Sequence, residues 1–170
     1  MGRAGMTPAD FARTVIEPGA AWFAAVTGHV SSVAAKRFLL AVAIQESAIT
    51  HRAQVLSGGG VGPARGFWQF EQGGGVAGVL RHPASRPMAL ASCEAASVVA
   101  ESAPVWRTLE GHDLLAYAFA RLLLLTDPYA VPVTPDAAWA CYATRLWRPG
   151  KPHPSKWTGC WGQALGQYTS

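Results

Sequence analysis

A mainly α, single-domain protein is the fold class this sequence predicts, and three observations predict it. The 170 residues are 50% hydrophobic and 14% charged, the balance of one compact domain and not of a disordered tail or a fibre. Proline and glycine punctuate apolar segments of helical length, and two-residue alternation, the mark of a half-buried strand, is almost absent. At this length folding removes about 70% of the unfolded chain's accessible surface, so the core needs no disulfide or metal.

The elements follow from local chemistry. Thr7-Pro8 with Asp10 is an N-cap, a first-turn proline and a first-turn acid, opening a helix that Pro18 is expected to interrupt and Gly28 to end. Ser31 or Ser32 starts the next helix, which runs to about Ala48. Its stripe of Val33, Ala35, Phe38, Leu39, Val42, Ala43 and Ile44 faces the core, while Lys36, Arg37 and Gln45 point elsewhere. Residues 49–65 read as a polar, Gly-rich loop, followed by a short stretch from Gly66 to Gln72 that Gly73-Gly74-Gly75 breaks. A short helix from Val76 to His82 stops at Pro83. A longer one from Ser85 to about Ala103 is expected to close at Pro104. His112–Thr126 is the most apolar helix and the expected centre of the core, with Arg121 inside it; an arginine there lays its stem on the core while its head finds carbonyls or a carboxylate. Thr134-Pro135-Asp136 repeats the cap signature for a helix reaching Trp147, and Arg148-Pro149-Gly150-Lys151-Pro152 is loop.

Several function classes drop out. The longest uncharged run, Pro18–Ala35, contains Gly19, Gly28, His29, Ser31 and Ser32, whereas a spanning helix needs about 20 mainly apolar residues. No membrane span is expected. The N-terminus, with Arg3, Pro8, Asp10, Arg13 and Glu17, lacks the apolar stretch and cleavage site of a secretory signal. Cys93, Cys141 and Cys160 are odd in number and widely spaced, which suits buried small hydrophobes better than a disulfide framework or a zinc site. His29, His51, His82, His112 and His153 have no metal-ligand spacing, so neither metal nor cofactor is expected. The net charge of +4 comes wholly from Arg145, Arg148, Lys151 and Lys156, because the rest of the chain carries ten basic and ten acidic side chains. Those four lie among Trp147, Trp157 and Trp161. A basic, aromatic segment suits an extended anionic partner, either a nucleic acid or a charged cell-wall polymer. No helix carries an interleaved basic face, so nucleic acid is not the expected partner. The segment reads either as a cleft wall or as a surface turn with its tryptophans tucked into the core.

Most carboxylates sit at helix starts (Asp10, Asp113, Asp136), in a turn (Asp127) or on solvated faces (Glu94, Glu101, Glu110). Glu46 differs: helical spacing puts it on the face of Leu39, Val42 and Ala43, so the core stripe ends in a carboxyl group. Partial burial disfavours the charged form and leaves a protonated group able to act as a general acid. The alternative is a side chain turned to solvent or paired with Arg52 or Arg65.

Glu46-Ser47 is followed, after the Gly-rich loop, by Gly62-Pro63-Ala64-Arg65-Gly66-Phe67-Trp68-Gln69-Phe70. That order resembles the lytic transglycosylases of the lysozyme-like superfamily, in which a helix ends in Glu-Ser and a loop leads to Gly-Ala-x-Gly-Leu-Met-Gln. The resemblance covers about residues 36–72 and 136–161. It implies a lysozyme-like, goose-type-like single domain with a central apolar helix, and a peptidoglycan-degrading glycosidase cleaving the MurNAc–GlcNAc β-1,4 bond. It makes Glu46 the catalytic acid/base, and places Ser47, Gly66, Gln69 and Phe70 along the sugar cleft. Tyr142 is the counterpart of a tyrosine that orients the acid in that family. The Tyr-Asn-Ala-Gly turn that usually follows is replaced here by a stretch containing Arg148 and Lys151, which are expected to meet muramyl-peptide carboxylates. Small size, basic charge and the lack of a signal peptide imply a phage or prophage enzyme, made in the bacterial cytoplasm, virion-associated or otherwise delivered to the wall; a monomer is favoured.

Glu71 departs from the family pattern. A lytic transglycosylase needs one carboxyl group, whereas a lysozyme hydrolase commonly has a second, at ~5 Å as nucleophile or ~6.5–9.5 Å as base. Glu71 is the candidate for that second group, unless it pairs with Arg65 or Arg81. A non-catalytic, sugar-holding virion module is the reading from another class.

Overall fold

The computed structural model describes residues 5–169, so Arg3, which entered the reading of the N-terminus, lies outside them. The described chain is mainly helical with one two-stranded sheet. Among the described residues no helix is long and apolar enough to cross a membrane.

Thr7 caps α1 (Pro8–Phe11), its hydroxyl accepting from the Asp10 N–H at 3.1 Å. Pro18 does not interrupt the helical path as expected. The backbone widens into a π-helical turn at Ala12–Ile16, where the Glu17 N–H donates to the Ala12 carbonyl, and α2 (Glu17–Thr27) continues with Pro18 in its first turn. The widened turn acts as a fresh helix start, the one place where proline's missing N–H costs nothing. Gly28 then ends α2 in the left-handed region, φ 75°.

Ser32 caps α3 (Val33–Ser47) by accepting from the Ala35 N–H at 3.1 Å. The apolar stripe is buried from Ala35 to Ala43, while Val33 at its start is exposed and Ile44 is partly covered; Arg37, which the pattern placed elsewhere, is buried too. Its Nε donates to the Tyr168 carbonyl at 2.7 Å and its guanidinium lies 5.9 Å from the centre of the Trp161 ring. The cause is α9 (Pro154–Gln167), which packs along α3 and covers that face. The buried residues of α9, Trp157, Cys160, Trp161 and Ala164, follow helical spacing.

The expected loop at 49–65 contains a hairpin, β1 (Ala53–Val55) against β2 (Val61–Arg65), antiparallel, with Ala53 opposite Arg65 and Val55 opposite Val61. Its alternation carries no hydropathy contrast because the inward positions of β2 are Gly62 and Ala64. A Cβ on Gly62 would come within 2.3 Å of Gln54 Oε1.

After a π-helical turn at Gln72–Val76 come α4 (Ala77–Arg81), α5 (Arg86–Ala95) and α6 (Ser102–Leu109). The single helix expected from Ser85 to Ala103 is therefore split. Ser97 takes φ 57°, and Pro104 lies in the first turn of α6, opening a helix where it was expected to close one. α7 (Asp113–Leu125) is the central helix, buried from Leu115 to Leu124. α2 packs closely on it, since a Cβ on Gly19 would come within 2.6 Å of the Tyr117 side chain.

Arg121 on α7 corrects a second expectation. It is 6% exposed, and among the described residues its head meets neither carbonyl nor carboxylate: Nη2 lies 2.7 Å from His29 Nε2, and Nε is buried without a hydrogen-bond partner there. Thr134 caps α8 (Pro135–Trp139), which runs into a π-helical segment, Ala140–Leu146, before α9. The three cysteines are free and buried.

Candidate active site

Glu46 sits in the last turn of α3, before Ala48 and Ile49 turn left-handed at φ 52° and 46° and end the helix. The residues one turn back, Val42 and Ala43, are fully buried, so the carboxyl group emerges from the core half-covered. Burial raises its pKa from 4.5 to about 7, the hydrogen bond from Tyr142 pulls the other way, and the charge of Glu71 pushes it further up. At neutral pH protonated and ionised forms are comparably populated. Arg52 pairs with Asp113 and Arg65 with Glu110, so neither arginine is Glu46's partner. Ser47 faces inward: it is buried, and its hydroxyl donates to the Ala43 carbonyl at 2.9 Å.

Tyr142 reaches Glu46 from the π-helical segment, its hydroxyl donating to Oε1 at 2.5 Å. The segment is wound so that the Trp147 N–H returns to the Tyr142 carbonyl at 2.9 Å. Trp147 Nε1 in turn donates to the Trp68 carbonyl at 2.9 Å, and Trp68 Nε1 donates to the Leu39 carbonyl of α3 at 2.8 Å. Two indoles thus tie the Tyr142 segment, the Gly66–Gln69 turn and the Glu46 helix into one frame.

That turn closes on an antiparallel pair between Arg65 and Phe70, with N–H to carbonyl distances of 2.9 and 2.8 Å. Gly66 has φ 75°, and a Cβ there would stand 2.8 Å from the Leu109 carbonyl oxygen, so both conformation and space require glycine. Gln69 takes φ 52°, and its Nε2 donates to the Gly66 carbonyl at 2.9 Å, while its Oε1 has no side-chain or backbone donor among the described residues. Phe70 is 2% exposed, packed against Trp147 at 6.0 Å between ring centres and against Gly75, where a Cβ would come 2.6 Å from the ring. It belongs to the packed interior behind the Gly66–Gln69 turn. Glu71, the next residue, is exposed and close enough to Glu46 for its charge to be felt there.

The structure therefore brings together Glu46, Tyr142 and Glu71 around the frame that holds Gly66 and Gln69, and turns Ser47 and Phe70 into the interior. Arg148, at φ 46°, and Lys151 are exposed on the loop after the π-helical segment. Of the basic C-terminal side chains, Arg145 pairs with the buried Asp127 carboxylate at 2.8 Å. Trp157 and Trp161 are buried, so these two tryptophans belong to the core. Sequence reasoning missed that Trp157 lies on Tyr142 and that Gln45, beside Glu46, accepts from the Cys160 thiol at 3.3 Å and donates to the His153 carbonyl at 3.1 Å. The helical spacing of Trp157, Cys160, Trp161 and Ala164 was the available signal. Among the described residues no cluster of His, Cys, Asp and Glu could hold a metal ion. A crevice of about 180 Å³ near Glu17, Ser31 and Lys36 shares no residue with the Glu46 neighbourhood. Comparison with protein-family models, curated proteins and solved structures found no match.

Proposed function

We propose that this chain is a muralytic glycosidase with a lysozyme-like fold, acting on the β-1,4 bond between MurNAc and GlcNAc in peptidoglycan, with Glu46 as its acid and base. The observation that carries the reading is a half-buried carboxyl group raised to about 7 and hydrogen-bonded by a tyrosine at 2.5 Å. A carboxylic acid that keeps its proton near neutrality can give it to a bridging glycosidic oxygen, and the carboxylate left behind can then take a proton back. In the transglycosylase form of the reaction, protonation breaks the glycosidic bond as the muramyl 6-hydroxyl closes on the anomeric carbon. The Glu46 carboxylate removes the hydroxyl proton, leaving a 1,6-anhydro sugar and a free GlcNAc hydroxyl, with Glu46 protonated again. Gln69 Oε1 accepts from a sugar hydroxyl or acetamide N–H, while Gly66, buried against the Leu109 carbonyl, does not line the sugar path as expected but sets the turn that holds Gln69. Arg148 and Lys151 face the carboxylates of the stem peptide. Murein glycan strands are the partner, and a phage or prophage lysis or entry role is the setting this reading implies.

A specific observation favours a second form. Glu71 raises the pKa of Glu46 through its own charge, and an ionised carboxylate near a protonated one is the arrangement a hydrolytic lysozyme uses. Digestion of purified sacculi, with mass spectrometry of the fragments, separates the two: 1,6-anhydromuramyl ends are expected for the transglycosylase, reducing ends for the hydrolase. Binding of the sacculi without release of fragments would replace both with a sugar-holding virion module.

A further inference from the structure

A phenol that hydrogen-bonds only through its tip can pivot about its side-chain torsions, so the bond to Glu46 requires the ring of Tyr142 to be held. Trp157 lies flat on it, with ring centres 5.2 Å apart and planes 8° from parallel. Among the described residues every other aromatic pair crosses at 38° or more. The stack is thus set apart from the edge and tilted contacts of the surrounding core. Trp139 meets the edges of this stack, 5.6 Å from Tyr142 and 5.8 Å from Trp157, and Trp147 is tilted against Tyr142 at 6.1 Å. Trp157 is itself fixed, 4% exposed, with its indole N–H donating to the Pro135 carbonyl at 2.8 Å. One turn further along α9, Cys160 bonds Gln45, the neighbour of Glu46. The first turns of α9 are therefore joined both to the residue before the acid and to the ring that touches it.

The geometry points to Trp157 as the positioning residue of the acid: α9 lays its indole on Tyr142 in the plane that aims the phenol hydroxyl at Oε1 of Glu46. This inference rests on the reading of Glu46 as the proton donor. The other groups that act on the pair are Glu71, after the Gly66–Gln69 turn, on Glu46, and Cys160, from α9, on Tyr142, with Lys156 acting on Cys160. Gln45 and Trp157 are neutral, so removing the indole changes no charge near Glu46. What it changes is the aim of the hydroxyl.

The test is the titration midpoint of the Glu46 side-chain carboxyl carbon by NMR, in the wild type, Y142F, W157L, W157F and the double variant Y142F/W157L. The Tyr142 bond favours the ionised carboxylate, so Y142F raises the midpoint. W157L, which keeps apolar bulk but loses the plane, is expected to raise it by roughly half a pH unit or more. W157F, which keeps a ring but loses the Pro135 bond, is expected to raise it less. The double variant is expected to titrate like Y142F alone, because Trp157 acts through Tyr142. Turnover of murein in W157L should fall ~10-fold or more with little change in KM, as for a misaimed acid. The proposal is overturned if the midpoint stays at the wild-type value in whichever single Trp157 variant folds, or if the shifts add in the double variant. A wild type that shows this coupling yet releases nothing from sacculi would instead overturn the proposed function and leave the positioning role standing.

Discussion

Two ionisable side chains project from the apolar faces of neighbouring core helices, Glu46 from the last turn of α3 and Arg121 from the middle of α7, and burial does opposite things to them. Desolvation raises Glu46 to about 7 and lowers Arg121 from its ordinary value. The carboxyl group answers burial by keeping a proton, which a tyrosine hydroxyl and a neighbouring charge then tune. The guanidinium cannot give up its proton in a protein, so burial leaves a cation with Nε unpartnered and, at Nη2, an imidazole in place of a counter-ion. His29 in turn is held below its ordinary value by burial and by Arg121's charge, which keeps it neutral and able to accept. The lesson is that a buried titratable group can exchange its proton with the surroundings only where its neutral form is reachable and its position is partly open to solvent. Glu46 meets both conditions at a helix end, and Arg121 meets neither in mid-helix.

The largest expected effect lies on the Glu46 side of this comparison. Glu46→Gln is expected to lower release of sugar from sacculi by ~10²–10⁴-fold, the scale of a lost general acid, with an unchanged circular dichroism spectrum. Retained activity would break the assignment. The same substitution should reveal the burial cost. Because Glu46 is raised in the fold, the native state holds its proton longer than the unfolded chain, so the wild type loses stability as pH climbs from 4.5 to about 7. The loss is on the order of 3 kcal/mol, and denaturant melts across that window should show Glu46→Gln without it.

His29 gives the opposite slope. Its lowered value means stability that is present above the ordinary histidine pKa of 6.5 and lost as pH falls through its folded one, where a second cation would stand 2.7 Å from Arg121. His29→Ala leaves Nη2 without that partner and is expected to cost about 1–3 kcal/mol in urea melts at pH 8. A neutral outcome would mean that water serves Arg121 equally well.

Glu71→Gln should have a smaller effect, moving the alkaline limb of the pH–activity curve to lower pH, since removing a negative charge lowers Glu46. Most of the activity should survive in the transglycosylase form; a loss as deep as that of Glu46→Gln would favour the carboxyl pair. The smallest effect is expected for Arg121→Met, which replaces a buried, poorly partnered cation with an apolar chain. Its stability should stay within about 1 kcal/mol of the wild type or rise, and a loss above that would show that the Arg121–His29 contact contributes more than burial costs it.

The pattern of the chain made much of this readable. Thr7, Ser32 and Thr134 cap helices because their hydroxyls answer N–H groups three residues away, and Glu46 stands out because a 3.6-residue period continues the apolar stripe into a carboxyl group. Other features lay beyond local reading. The hairpin is silent because Gly62 and Ala64 contribute no contrast, and Pro18 and Pro104 each fit a helix start that depends on how neighbouring turns wind.

The sequence by itself determined the helical class, most of the caps and the acid at the end of a core stripe, since these depend on bonds and spacings within a few turns. Only the tertiary structure decided that Arg37 is buried under α9, that Arg121 meets His29, and that Trp157 lies on the ring that touches Glu46. Those contacts join residues 92 to 131 positions apart for the two arginines and bring separate segments together for the tryptophan. Packing selects them from many partners of similar local chemistry, and a linear pattern has no term for which surface will cover another.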